Sequence, residues 1–205
     1  MLEDTLIILT ADHGEQFYEH GMYAHGKSLY DEEIHVPLII RYPKRIPKNK
    51  KIYDMVELMD IAPTILDILE TDIPRCFRGG SLLGLLSGDK RGDDYAICSE
   101  GMYVTSLAIR NKKYKFIKLE KIAEDIMTEL GMIFKSQGGR KLYDLAKDPI
   151  ERHDIYSDNL TIANELEKEL DKRLNINKLQ SPIIRRKEKI DPKLIERLKA
   201  LGYIK

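Results

Sequence analysis

Residues 5–41 read TLIILTADHGEQFYEHGMYAHGKSLYDEEIHVPLIIR, and the fold class follows from how this stretch opens and closes. Thr5–Thr10 (TLIILT) is a continuous apolar run rich in β-branched residues. It predicts a strand covered on both faces, inside a parallel or mixed sheet. Val36–Arg41 (VPLIIR) predicts a second such strand, with Pro37 near its start, where a missing N–H does least harm. Between them, residues 11–27 hold three glycines and three histidines and follow neither a helical nor a strand period. A polar loop leaving the C-terminal end of a buried strand is where open α/β sheets build their sites.

Outward from this stretch the pattern changes. Pro43–Lys51 is a basic, proline-punctuated surface turn. Asp60 is expected to cap a helix running through Glu70, with Pro63 tolerated in its first turn and Ile61, Ile65, Leu66 and Leu69 on its apolar face. Ile73–Gly92 is irregular around the apolar piece Leu82–Leu86. Tyr95–Ser99, Tyr103–Arg110 and Tyr114–Lys118 alternate as strands, and Asn111-Lys112-Lys113 predicts a hairpin between the last two. A helix over Ala123–Phe134, a break at Gln137–Gly139 and a strand over Lys141–Leu145 follow. Asp158 is expected to cap a long helix with Ile162, Leu166 and Leu170 on one face. Ser181–Lys189 reads as a basic linker. Asp191-Pro192 opens a last helix with Leu194, Leu198 and Leu201 in its stripe and Gly202 at its stop.

Composition excludes several classes. The chain has 205 residues, 34 Lys+Arg against 34 Asp+Glu, and 42% hydrophobic content, enough for a sizeable core. Zero formal net charge argues against a dedicated nucleic-acid binder, and the basic runs Lys44–Lys51 and Arg185–Lys189 lack interleaved aromatics. No stretch approaches the roughly 18 apolar residues of a membrane span. The first residues, MLEDTLIILTADHG, lack the basic start of a signal peptide, so the chain as given is expected in the cytoplasm, with any leader lying upstream. Cys76 and Cys98 have no metal-type spacing and read as buried structural thiols.

The chemistry concentrates in Asp12, His13, Glu15, Glu19, His20, His25 and Lys27. An adjacent carboxylate and imidazole at a strand end supply a mixed O/N shell for Zn²⁺ or Mn²⁺, or for Ca²⁺ where oxygens dominate. Gly14 lets the backbone turn away. Lys27 can place a point charge on a leaving-group oxygen or an oxyanion. The plain alternative is a solvated loop whose Asp and His cap the backbone.

This run closely resembles the sulfatase branch of the alkaline-phosphatase superfamily. It is similar to the hydrophobic strand, the D-H-G-E turn, the K-x-x-Y-[DE]-E segment and the H-[VI]-P-L-I-I-R strand of arylsulfatases and phosphonate monoester hydrolases. The resemblance continues through VELMDIAPTILDIL, RGGSLLGLLSG, AIRNKKYKFI, LYDLAKDPIERHDI and the tail IDPKLIERLKALGYI. It implies an α/β fold: a partial alkaline-phosphatase-like sheet, then a small antiparallel sheet with a covering helix, then a helical tail. The expected divisions are residues 1–75, 76–157 and 158–205. It further implies Asp12 and His13 as ligands of a divalent metal, Ca²⁺ or Mn²⁺ foremost and Zn²⁺ as the alternative. Lys27 matches the lysine that contacts sulfate or phosphate oxygens. His25 stays open between metal ligand, substrate contact and structural residue. His20 and His35 read as structural, and Glu15 and Glu19 as solvated or supporting.

One departure is large. The family's nucleophile lies in an N-terminal C/S-x-P-x-R motif, which supplies formylglycine in sulfatases, and two further metal carboxylates lie near it. Neither Cys76 (RCFRGG) nor Cys98 (AICSEG) has the proline. The expectation is therefore the C-terminal part of a hydrolase of sulfate or phosphate-type esters, inactive alone. It would pair with an N-terminal companion segment or with itself as a homo-oligomer through exposed strands. The alternatives are a two-zinc phosphatase or phosphodiesterase type, in which His25 is a ligand, and a non-enzymatic assembly domain.

Overall fold

The computed structural model describes residues 2–26, 28–89, 94–100, 106–119 and 139–180. The helix expected over Ala123–Phe134, the linker Ser181–Lys189, the helix after Asp191 and Lys27 lie outside the described residues. The architecture is α/β, with small antiparallel sheets and a long helix.

The opening stretch forms β1 (Ile7–Thr10), the short hairpin β2 (Gln16–Phe17) and β3 (Tyr23–Ala24), the single turn α1 (Asp31–Ile34) and β4 (Leu38–Arg41). β1 and β4 pair antiparallel, with Leu9 opposite Ile39. Here the expectation of strands covered on both faces is corrected. Ile7, Leu9 and Ile39 are 40%, 54% and 60% exposed. The two strands form a sheet of their own, and one apolar face meets solvent because no described element lies over it.

A 3-10 turn, Leu58–Asp60, runs into α2 (Ile61–Ile68), and α3 spans Leu83–Ser87. Asp60 does not cap α2 as expected. Its carboxylate is buried and accepts the N–H groups of Glu57 (2.7 Å) and Gly80 (2.9 Å), closing a box with Glu57 one turn earlier. A buried carboxylate needs several donors, and the backbone N–H groups on either side supply them.

The C-terminal half is a meander of β5 (Ala96–Glu100), β6 (Ser106–Arg110), β7 (Tyr114–Leu119) and β8 (Gly139–Asp144), each antiparallel to the next. Asn111 Oδ1 accepts the N–H groups of Lys113 and Tyr114, which tightens the expected hairpin. Alternation divides the side chains. Ile109, Phe116 and Leu142 pack under Ala163, Leu166 and Leu170 of α4 (Leu160–Gln180). Burying each such leucine contributes about 1.5–3 kcal/mol. Helix α4 begins two residues after Asp158, where the Ala163 N–H reaches the Asn159 carbonyl. On the opposite face, Ala108, Ile117, Tyr143 and Leu145 pack against Leu29 and Tyr30. The histidine-rich loop is thereby pinned to the meander.

Candidate functional site

The chain leaves β1 and reaches Asp12 and His13 two residues later. Gly14 then turns onto α1: its N–H donates to the Glu33 carbonyl at 2.7 Å. A Cβ at Gly14 would lie 2.0 Å from the Glu32 carbonyl oxygen, so only glycine permits this approach. His13 Nδ1 lies 2.8 Å from the Gly14 carbonyl, which can only accept, so Nδ1 carries the proton and the Nε2 lone pair is left for another partner. That carbonyl outweighs the opposing desolvation and, with smaller help from the field of Asp12, Glu15 and Glu33, holds His13 above the usual imidazole value. Asp12 Oδ1 accepts the His13 backbone N–H at 3.0 Å and lies 3.9 Å from His13 Nε2. The Asp12 side chain is 90% exposed.

The return arm brings His25 onto the same spot. Its ring stacks on that of His13 with centroids 4.1 Å apart, and Glu15 Oε2 holds its Nδ1 at 3.0 Å. Gly26 has φ +72° and donates its N–H to Glu33 Oε2 at 2.7 Å. Asp12, His13 and His25 are thus brought together. Among the described residues no group of three or more His, Cys, Asp or Glu side chains is placed to hold a metal ion. Asp12 and His13 offer two groups of the kind a divalent cation takes, a solvent-facing carboxylate and an imidazole nitrogen whose opposite N–H is anchored.

The remaining histidines separate by environment. His20 is wedged between Glu32 Oε1 (2.5 Å) and the Glu151 carbonyl (3.0 Å), its ring nearly parallel to Tyr30 with centroids 3.7 Å apart. His35 is exposed, 3.6 Å from Asp31 Oδ2. Glu19 accepts the Phe17 N–H at 2.6 Å.

Sequence reasoning missed the charges that hold this loop. Lys115 on β7 is fully buried, with Nζ 2.9 Å from Asp31 Oδ1 and 2.8 Å from Glu151 Oε1. Arg110 Nη1 reaches both Asp31 oxygens at 2.8 and 2.7 Å, and the Asp31 N–H donates to Glu151 Oε2 at 2.7 Å. Burial pushes the Asp31 carboxyl up, but Lys115 and Arg110 reverse this and hold it below its ordinary value. Burial prevails at Glu151, which is raised despite Lys115. The signal available in sequence was the DEE triplet after the loop and the Glu of DPIE, both within the quoted motifs.

Asp12, His13 and His25 line one cleft of about 1010 Å³ with Glu33, Cys98 and Arg110. Burial pushes the Cys98 thiol up, with Lys115 and Arg110 opposing, so the thiolate is disfavoured. Cys76 is exposed, against the expectation of a buried thiol, because its segment after α2 runs over the surface. No described helix is long and apolar enough to cross a membrane.

The chain is similar to known proteins over most of its length. Arylsulfatase K of Rattus norvegicus is 29% identical over 196 residues, covering 90% of this chain and 32% of that protein. The Delta 4,5-hexuronate-2-O-sulfatase of Bacteroides thetaiotaomicron is 30% identical over 165 residues, covering 76% of this chain and 31% of that protein. A crystal structure from the same bacterium, described as a candidate sulfatase, superposes with a TM-score of 0.68 at 28% identity, covering 85% of this chain and 37% of that one. The chain thus spans about a third of the length of the curated relatives it matches. Residues 18–180 match the family "N-sulphoglucosamine sulphohydrolase, C-terminal", and the chain belongs to that family, the C-terminal domain of sulfatases.

Proposed function

We propose that this chain supplies the metal-contacting and anion-contacting part of a sulfatase that opens a sulfate ester. Asp12 and His13 are two ligands of its divalent metal, and His25 and Lys27 contact the ester oxygens. The observation that carries the reading is the Asp12–His13 pair at the exit of β1, with His13 Nδ1 held at 2.8 Å by the Gly14 carbonyl and His25 stacked beside it. A divalent cation, Ca²⁺ or Mn²⁺ on these donors, would neutralise charge on the ester and activate a nucleophile.

The chain's own groups do the rest. His25, oriented by Glu15, presents its Nε2 edge to an ester oxygen, and Lys27 places a cation on the developing oxyanion. Cys98, with its raised pKa, is a poor nucleophile, so that role is assigned to a segment outside these residues, together with the other metal carboxylates. Alone, the chain is then a weak metal binder without turnover. A relative that acts on a 2-O-sulfated hexuronate favours a sulfated sugar over a phosphate ester.

The test is calorimetric titration of the chain with Mn²⁺, Ca²⁺ and Zn²⁺, beside nitrophenyl sulfate turnover. Two ligands are expected to give a Kd on the order of 1 mM, lost in Asp12→Ala. Equal binding by Asp12→Ala overturns the metal assignment. Turnover that Asp12→Ala abolishes overturns the assignment of the nucleophile elsewhere.

A further inference from the structure

We infer that Glu33 is a positioning residue: it clamps the Asp12–His13 arm and the His25 arm of the loop at one spacing. The inference rests on the reading of these three residues as the functional site. Glu33 is 4% exposed, and three of its acceptors are engaged at short range. Its backbone carbonyl takes the Gly14 N–H at 2.7 Å, one residue after His13. Its Oε2 takes the Gly26 N–H at 2.7 Å, one residue after His25. Its Oε1 takes the Ser28 hydroxyl at 2.6 Å, and that hydroxyl in turn accepts from Gln16 Nε2 at 3.1 Å. One residue thus bridges the two backbone arms that bring the His13 and His25 rings to 4.1 Å.

The clamp works only if α1 cannot move, and the buried charges see to that. Asp31 is tied to Lys115 and Arg110 of the meander, and its N–H to Glu151. The geometry of an exposed site is therefore set from a buried base. Ordinary loop packing would not need a buried carboxylate whose two oxygens hold Gly26 and Ser28 on the His25 arm while the backbone carbonyl of the same residue holds Gly14 on the His13 arm. Charge-assisted bonds of this kind are shorter and about twice as strong as neutral ones.

The test uses the labelled full chain and Glu33→Gln, which keeps size but turns one acceptor into a donor facing a donor. Three signals are read: the NOE between the His13 and His25 rings, the NOE between Tyr30 and Tyr143 in the core, and Mn²⁺ broadening of the two histidines. The expected result is loss of the His13–His25 NOE with the Tyr30–Tyr143 NOE retained, and about tenfold more Mn²⁺ for equal broadening. An unchanged His13–His25 NOE overturns the inference, as does joint loss of both NOEs, which marks a role in folding alone. If Glu33→Gln does not fold, Ser28→Ala is read by the same criteria. If neither protein shows Mn²⁺ broadening while Glu33→Gln still loses the His13–His25 NOE, the clamp stands and the metal reading falls.

Discussion

Lys115 and Glu151 face each other at 2.8 Å with both side chains completely buried, one on β7 and the other beyond β8. Lys115 is also the cation of Asp31, but Asp31 has Arg110 in reserve. Lys115→Met therefore strands Glu151 more than Asp31. The expected cost is about 3–5 kcal/mol in urea unfolding, the usual range for half of a buried pair. Adding Glu151→Gln to Lys115→Met should restore part of it, because the stranded charge is gone. Lys172→Ala, which breaks an exposed pair with Glu169 at 3.3 Å, should cost under about 0.5 kcal/mol. A double variant as unstable as the sum of the singles would contradict this account.

The same network dictates an acid profile in which the two carboxylates act with opposite sign. Asp31 has a folded pKa below its ordinary value of 3.8, so as pH falls the unfolded chain binds its proton first. Its contribution is present above that value and is lost as pH falls through the lower folded pKa. Glu151 is raised above 4.5, so the folded chain holds the proton longer, and stability declines as pH rises from 4.5 through the folded pKa. Going down from pH 7, urea midpoints should therefore rise slightly before they fall below pH 3.8. Glu151→Gln should abolish the upper slope and keep the lower one. A variant that retains the upper slope would assign it to another group.

Gly14 and Gly80 make a matched pair of alanine substitutions. A Cβ on Gly14 meets the Glu32 carbonyl oxygen at 2.0 Å, whereas one on Gly80 meets nothing within 4 Å. Gly14→Ala is expected to cost about 1–3 kcal/mol by overpacking and to separate the His13 and His25 rings. Gly80→Ala is expected to be neutral, or to stabilise by up to about 1 kcal/mol through the unfolded chain. Thermal unfolding of the two variants side by side decides the matter. Equal midpoints would mean that α1 shifts freely to make room.

What was legible in sequence is what repeats or is contiguous. The alternation of Ala108, Ile109, Phe116 and Ile117 shows the meander, and the spacing of Ile162, Leu166 and Leu170 shows α4. Asp12 and His13 are adjacent in the chain, so no long-range information is needed to bring them together. Lys115 is different. A lysine in a strand reads as solvent-facing, and only the approach of Asp31 and Glu151, far away in sequence, makes its burial affordable. Asp60 reads as a helix cap because nothing local announces that the Gly80 N–H will arrive. The exposure of Leu9 and Ile39 was hidden for the same reason, since a strand's burial belongs to its neighbours rather than to its own residues.

That exposed face gives the last prediction. Leu9 lies directly opposite Ile39 in the β1–β4 register, and Ile7, two residues before Leu9, shares its face, so the three make one apolar surface on a two-stranded sheet. Among the described residues β1 and β4 pair only with each other, so their outer edges carry N–H and C=O groups with no further ladder partner there. Chains of 205 residues with such a surface are expected to self-associate as concentration rises, by face or by edge. Leu9→Lys with Ile39→Glu places an ion pair where the apolar pair was, which preserves the β1–β4 pairing while making the face polar. In sedimentation velocity the wild type should shift to larger species between micromolar and higher loading, and the double variant should stay monomeric. If the variant associates as strongly as the wild type, the contact lies elsewhere, with the exposed aromatic hairpin of Phe17, Tyr18 and Tyr23 next to be substituted.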